Sequence, residues 1–152
     1  MSVCLQSILV TPLAIIAGAG LAWYGNYHVQ TRIQRNLRLA HGVDELKRRL
    51  YDFLDLATRY WTLDAPRGEI HRTLEAQIIA RKRIILEEFN ALSSKSTELE
   101  RSYSQTESSR VNLWDVAAGG CFQEAKWKSD QDRVVLIAAE VTRIIHSINQ
   151  AH

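Results

Sequence analysis

The chain has 152 residues, of which 46% are hydrophobic and 24% charged, with a formal net charge of +2; that suffices for one modest domain with a core. So even a charge balance leaves no electrostatic footprint for nucleic acid, and none is expected as a partner. Two prolines and seven glycines are too few breakers for a strand-rich fold, so the composition points to an all-α chain.

Val3 to Tyr27 contains no Asp, Glu, Lys or Arg, and the first positive charge is Arg32. At the helical rise, about 23 residues span roughly 35 Å, enough to cross a hydrocarbon core with some tilt. A cleaved signal peptide would want a basic n-region and a shorter apolar run; a buried core helix would not need so long an uncharged stretch. The expectation is therefore one N-terminal transmembrane helix, with residues 1–28 as anchor and 29–152 as a helical cytoplasmic domain. Trp23, Tyr24 and Tyr27 stand where an interfacial belt belongs. Arg32, Arg35 and Arg38, with Lys47, Arg48 and Arg49 beyond, place the C-terminal side inside and can lean toward anionic headgroups. The expected localisation is the inner membrane, single-pass. Ala14, Gly18 and Ala22 recur every four residues as a small-residue stripe suited to close helix–helix approach. Cys4 and Cys121 fall on opposite sides of the arginine flank, so no intrachain disulfide is expected.

From Val29 to Tyr60 apolar residues recur at steps of three and four through Ile33, Leu37, Val43, Leu50 and Phe53, predicting an amphipathic helix continuous with the span. Gly42 is its weak point and the expected place of a bend. Thr62 to Gly68 is the clearest break, with Asp64 as cap and Pro66 in the first turn of the next helix. That second helix is predicted from Glu69 to Leu92 on the stripe Ile70, Leu74, Ile78, Ile85, Phe89. Residues 93–110 are rich in Ser, Thr, Glu and Gln and read as a polar connection or a protruding extension of that helix. Val111 to Lys128 reads as a short helix, a Gly119-Gly120 break and a further turn; no Lys-Ser/Thr follows the glycines, which excludes a P-loop. A last helix opens at Asp130 and runs to Asn149 on Val134, Ile137, Val141, Ile144 and Ile148. The fold expected is an antiparallel bundle of three to four helices behind the anchor.

His71 and Glu75 stand one turn apart and could give two metal ligands, but no H-E-x-x-H or C-x-x-C set completes a site; no cofactor is expected. No Ser-His-Asp or Cys-His arrangement can be argued. Trp61, Trp114 and Trp127 are the candidate partner-binding aromatics. Arg35-Asn36-Leu37-Arg38-Leu39-Ala40-His41 resembles, over those seven residues, the Arg-polar-x-His motif of HEPN-type ribonucleases, which are helical bundles. That resemblance implies RNA cleavage by Arg35 and His41. In layout the chain also resembles the inner-membrane spanins of phages, which implies a periplasmic helical domain and a role in lysis. The expectation preferred over both is non-enzymatic: a bacterial or phage membrane-anchored scaffold or effector subunit, contacting the lipid bilayer and self-associating or binding another protein subunit.

Overall fold

Among the described residues, the computed structural model contains five helices: α1 (Val3–Thr62), α2 (Glu69–Ser93), α3 (Thr97–Gln105), α4 (Glu107–Ala118) and α5 (Gln131–Gln150). The structure describes residues 3–64, 67–119, 122–124 and 129–151, with side chains from residue 23 onward. Among the described residues there is no strand, so the all-α expectation holds. The chain falls into two units, Met1–Arg38 and Leu39–His152.

In the second unit, the part of α1 from Leu39 onward and α2 form an antiparallel pair. Gly42 faces Leu92 at one end, Arg49 bonds Glu88 at 2.8 Å, Arg81 approaches Asp52 at 3.8 Å, and Tyr60 reaches Glu75 at the other end. The helix α1 runs through Gly42 without interruption. A Cβ there would lie 2.6 Å from the Leu92 Cδ2, so the glycine allows the two helices to approach closely.

The polar stretch 93–110 does not protrude. It forms α3 and the start of α4, and its buried face is itself polar: Ser102, Thr106 and Arg110 are buried alongside Leu99. Ser96 caps α3 by accepting from the Leu99 N–H. Thr106 closes α3 and opens α4; its hydroxyl donates to the Ser102 and Tyr103 carbonyls, the back-bonding that lets a threonine end one helical run and bend into another. Together α3 and α4 make one arm antiparallel to α5. Ser102 meets Ser147 at 2.9 Å near one end, and Arg133 donates to the Val116 carbonyl at 2.9 Å near the other.

The core runs through all these elements, from Val43, Phe53 and Trp61 to Ile85, Leu113, Ile137 and Ile148. Phe53 and Trp114 meet edge to face with ring centroids 5.1 Å apart, the arrangement aromatic quadrupoles favour. Local signals placed the last helix well: Asp130 is its cap and accepts from the Arg133 N–H. They also placed the start of α2 at Glu69, but not its cap, which is Gly68 with extended backbone rather than Asp64.

Among the described residues no helix is long and apolar enough to cross a membrane. Of the expected span Val3–Tyr27, only Trp23–Tyr27 lie among the residues whose side chains are described.

Candidate functional site

Two regions hold the residues that the sequence singled out. The first is the α1 segment from Trp23 to Arg38, every residue of which is exposed. Trp23 and Tyr27 stack with centroids 5.8 Å apart, and Tyr24 meets His28 edge-on at 4.2 Å. Val29, Ile33 and Leu37, each more than half exposed, follow at steps of four on one arc. Arg32, Arg35 and Arg38 follow at steps of three; at about 100° per residue these two series occupy different sides of the helix. This helix segment is amphipathic and shows its apolar side to solvent. Ala14, Gly18 and Ala22 lie on α1, outside the residues whose side chains are described. Arg35 and His41, the pair in the ribonuclease-like stretch, are each exposed.

The second region is the end of the bundle where α1 stops and α2 begins. His71 and Glu75 are one helical turn apart, as the sequence required, but they are not surface residues: they are 1% and 3% exposed. The Tyr60 hydroxyl donates to Glu75 Oε1 at 3.0 Å, and the Arg67 guanidinium donates to both carboxylate oxygens at 3.2 and 3.0 Å. The Gln123 N–H donates to the Tyr60 oxygen at 3.4 Å, and Gln123 itself holds a left-handed φ of 63°. The His71 ring lies edge-on to Tyr60 at 5.9 Å.

Charge and burial set the protonation of this cluster. Burial, then the hydrogen bond to Glu75, push the Tyr60 phenol far above its ordinary value, so it stays a donor. Burial holds His71 below its ordinary value against the opposing pull of Glu75, so it is neutral at pH 7. The carboxylate of Glu75 lies between a guanidinium and a phenol, and both of its oxygens are engaged. Such a set ties the α1 terminus, the 67–68 connection, α2 and the 122–124 turn together. Among the described residues no group of three or more His, Cys, Asp or Glu could hold a metal.

The tryptophans expected at a partner surface take different places. Trp61 is fully buried and Trp114 is 9% exposed; Trp127 lies outside the described residues. Trp61 donates its indole N–H to the Ala117 carbonyl at 3.1 Å, while Arg133 lies over the Trp61 ring and donates to the Val116 carbonyl. Those are two of the orphan carbonyls at the end of α4, which any helix terminus must satisfy. Trp61 is therefore a core residue and a helix cap, not a docking residue. Its own carbonyl accepts from the Asp130 N–H at 2.9 Å, joining the end of α1 to the start of α5. The sequence could not reveal this cap, because its partners lie more than fifty residues away.

No protein family, no curated protein and no solved structure matches this chain.

Proposed function

We propose that this protein is a membrane-anchored helical subunit that acts by association: residues 3–27 hold the chain in the lipid bilayer, and the Leu39–His152 unit binds another protein subunit at the inner face. The observation that carries the reading is the exposed segment Trp23–Leu37, which overlaps the end of the uncharged stretch Val3–Tyr27 of the same helix. A helix that leaves Trp23, Tyr24, Tyr27, Val29, Ile33 and Leu37 in water exposes apolar area that a bilayer or a protein would cover. Stacked aromatic rings followed by arginines suit the headgroup layer, where an amphipathic ring and a cation are both satisfied. The arginines after the stretch support an inward-facing second unit.

Expression of the full chain and alkaline carbonate extraction of the membranes tests the anchor. The chain stays with the membrane if the reading holds; release into the soluble fraction overturns it. A C-terminal reporter active only in the cytoplasm supports the inward orientation. A periplasmic signal reverses it and favours the envelope role that the spanin-like layout implies. For self-association through the small-residue stripe, Gly18→Ile is expected to shift the detergent-solubilised protein toward monomer, and an unchanged oligomer rejects that face.

A further inference from the structure

Arg110 is the most unusual charge in the Leu39–His152 unit. It is 8% exposed, and its Nε lies buried with no hydrogen-bond partner among the described residues. Its guanidinium donates to the Tyr103 carbonyl at 3.0 Å and sits 3.6 Å from the Tyr103 ring centroid, with Phe89 at 5.5 Å on its flank. Aromatic faces and one carbonyl ease the burial of a cation; they do not neutralise it. Arg49, Arg67, Arg81 and Arg133, the other partly buried arginines in ion pairs, each face a carboxylate. Among the described residues none lies within ion-pair distance of Arg110.

The side chain lines a groove of about 340 Å³ between α2 and the α3–α4 arm. Lys82 lines it too, with its ammonium 5.4 Å over the Trp114 ring and no carboxylate within ion-pair distance among the described residues. The remaining lining is the apolar surface of Leu86, Val111 and Trp114, together with Ser104 and the exposed Glu107, so that two cations stand against one carboxylate. A volume at the lower end of the range for small-molecule sites, with apolar walls and a net positive charge, suits one kind of occupant.

We infer that this groove binds a small phosphate ester, its oxyanion against Arg110 and Lys82 and its organic part against Leu86, Val111 and Trp114. A planar guanidinium offers parallel N–H donors to a phosphate, and a lysine adds a point charge. The ester is either a free aromatic phosphate or the glycerol phosphate portion of a lipid headgroup. The inference does not depend on the membrane reading of the N-terminal helix.

Titration calorimetry on the full-length chain in a nonionic detergent, with phenyl phosphate and with glycerol 3-phosphate, tests it. At least one probe should bind saturably, and the tighter of the two identifies the source. Lys82→Gln should weaken that probe about tenfold, and Arg110→Met should abolish its binding. The unfolding midpoint separates binding from scaffolding. A buried cation kept for a ligand can be replaced by methionine with the ligand-free midpoint unchanged or raised. A binding site is supported when Arg110→Met keeps its midpoint and loses the probe. Failure of both probes to bind up to about 10 mM overturns the inference, since weaker affinity is below that of ordinary specific sites. It is equally overturned if both variants bind like the parent chain. Should Arg110→Met fail to fold, the Lys82→Gln titration decides alone.

Discussion

The two units of this protein treat apolar residues in opposite ways. In Leu39–His152, Val43, Leu50, Phe53 and Ala57 alternate with charged residues along α1 and are wholly or almost wholly buried. In Met1–Arg38, Val29, Ile33 and Leu37 show the same helical spacing and remain 52–64% exposed. Periodicity is the same in both; what differs is the exposure of the stripe. An amphipathic pattern thus reports a need for cover, which the stripe of Leu39–His152 finds among the helices of its own unit. The other stripe is the part of the molecule on which the membrane reading rests.

The largest expected effect probes that contrast directly. Phe53→Ala should destabilise the bundle by about 3–5 kcal/mol, the range for a fully buried phenylalanine, in denaturant unfolding followed by circular dichroism. Ile33→Ala, in the exposed stripe, should leave the unfolding free energy within about 0.5 kcal/mol. Equal losses from both would mean that the first stripe is also packed.

Next comes Glu75→Leu, which strands the Arg67 guanidinium and the Tyr60 hydroxyl. A loss of about 3 kcal/mol is expected, at the lower end for breaking a buried pair because Arg67 is partly exposed. Tyr60→Phe removes the hydrogen bond to that carboxylate and the one accepted from the Gln123 N–H, and should cost about 1–3 kcal/mol. The same unfolding experiment measures both, and a double variant should show coupling between them. At Gly42, valine should cost about 1–3 kcal/mol by overpacking against Leu92. Alanine should be nearly neutral, since the Leu92 methyl can give way and the helix gains intrinsic propensity.

Acid gives the smallest effects and separates two groups by pH. His71 titrates below its ordinary value in the fold. As pH falls below about 6.5 the unfolded chain takes up that proton first, so stability declines with acidification in this window. His71→Gln should flatten the decline. The Asp130 carboxylate is held below its ordinary range, first by the Arg133 backbone N–H and then by the Arg133 side chain. Its contribution is complete above the usual carboxylate range and is lost as pH falls through its lowered folded value. Asp130→Ala should therefore lower the unfolding free energy at pH 7 by about 1 kcal/mol, as for loss of a helix cap, and matter less at pH 2.

What could be read from the sequence was local. The limits of α2 and α5 followed from stripe spacing and from Asp130, all within a few residues of one another. The segment 93–110 could not be read because its inward face is made of Ser102, Thr106 and Arg110, and no apolar period announces a face built that way. His71 and Glu75 were found as a pair one turn apart, but their burial was hidden. It depends on Tyr60, Arg67 and Gln123, brought together by the α1–α2 hairpin and by the turn before α5. Trp61 stands out in the sequence only as a candidate aromatic, in the core or at a partner surface, since nothing nearby in the chain signals that Ala117 needs its N–H.

Thr106 sets a limit on how this bundle can vary. The arm it divides is fastened to α5 on both sides of it, by Ser102 to Ser147 and by Val116 to Arg133. One residue inserted at that joint would rotate everything beyond it by about 100°, and one of the two fastenings would have to let go. Length changes in related chains should therefore gather in the connections after α1 and before α5, while the spacing between positions 102 and 116 stays fixed.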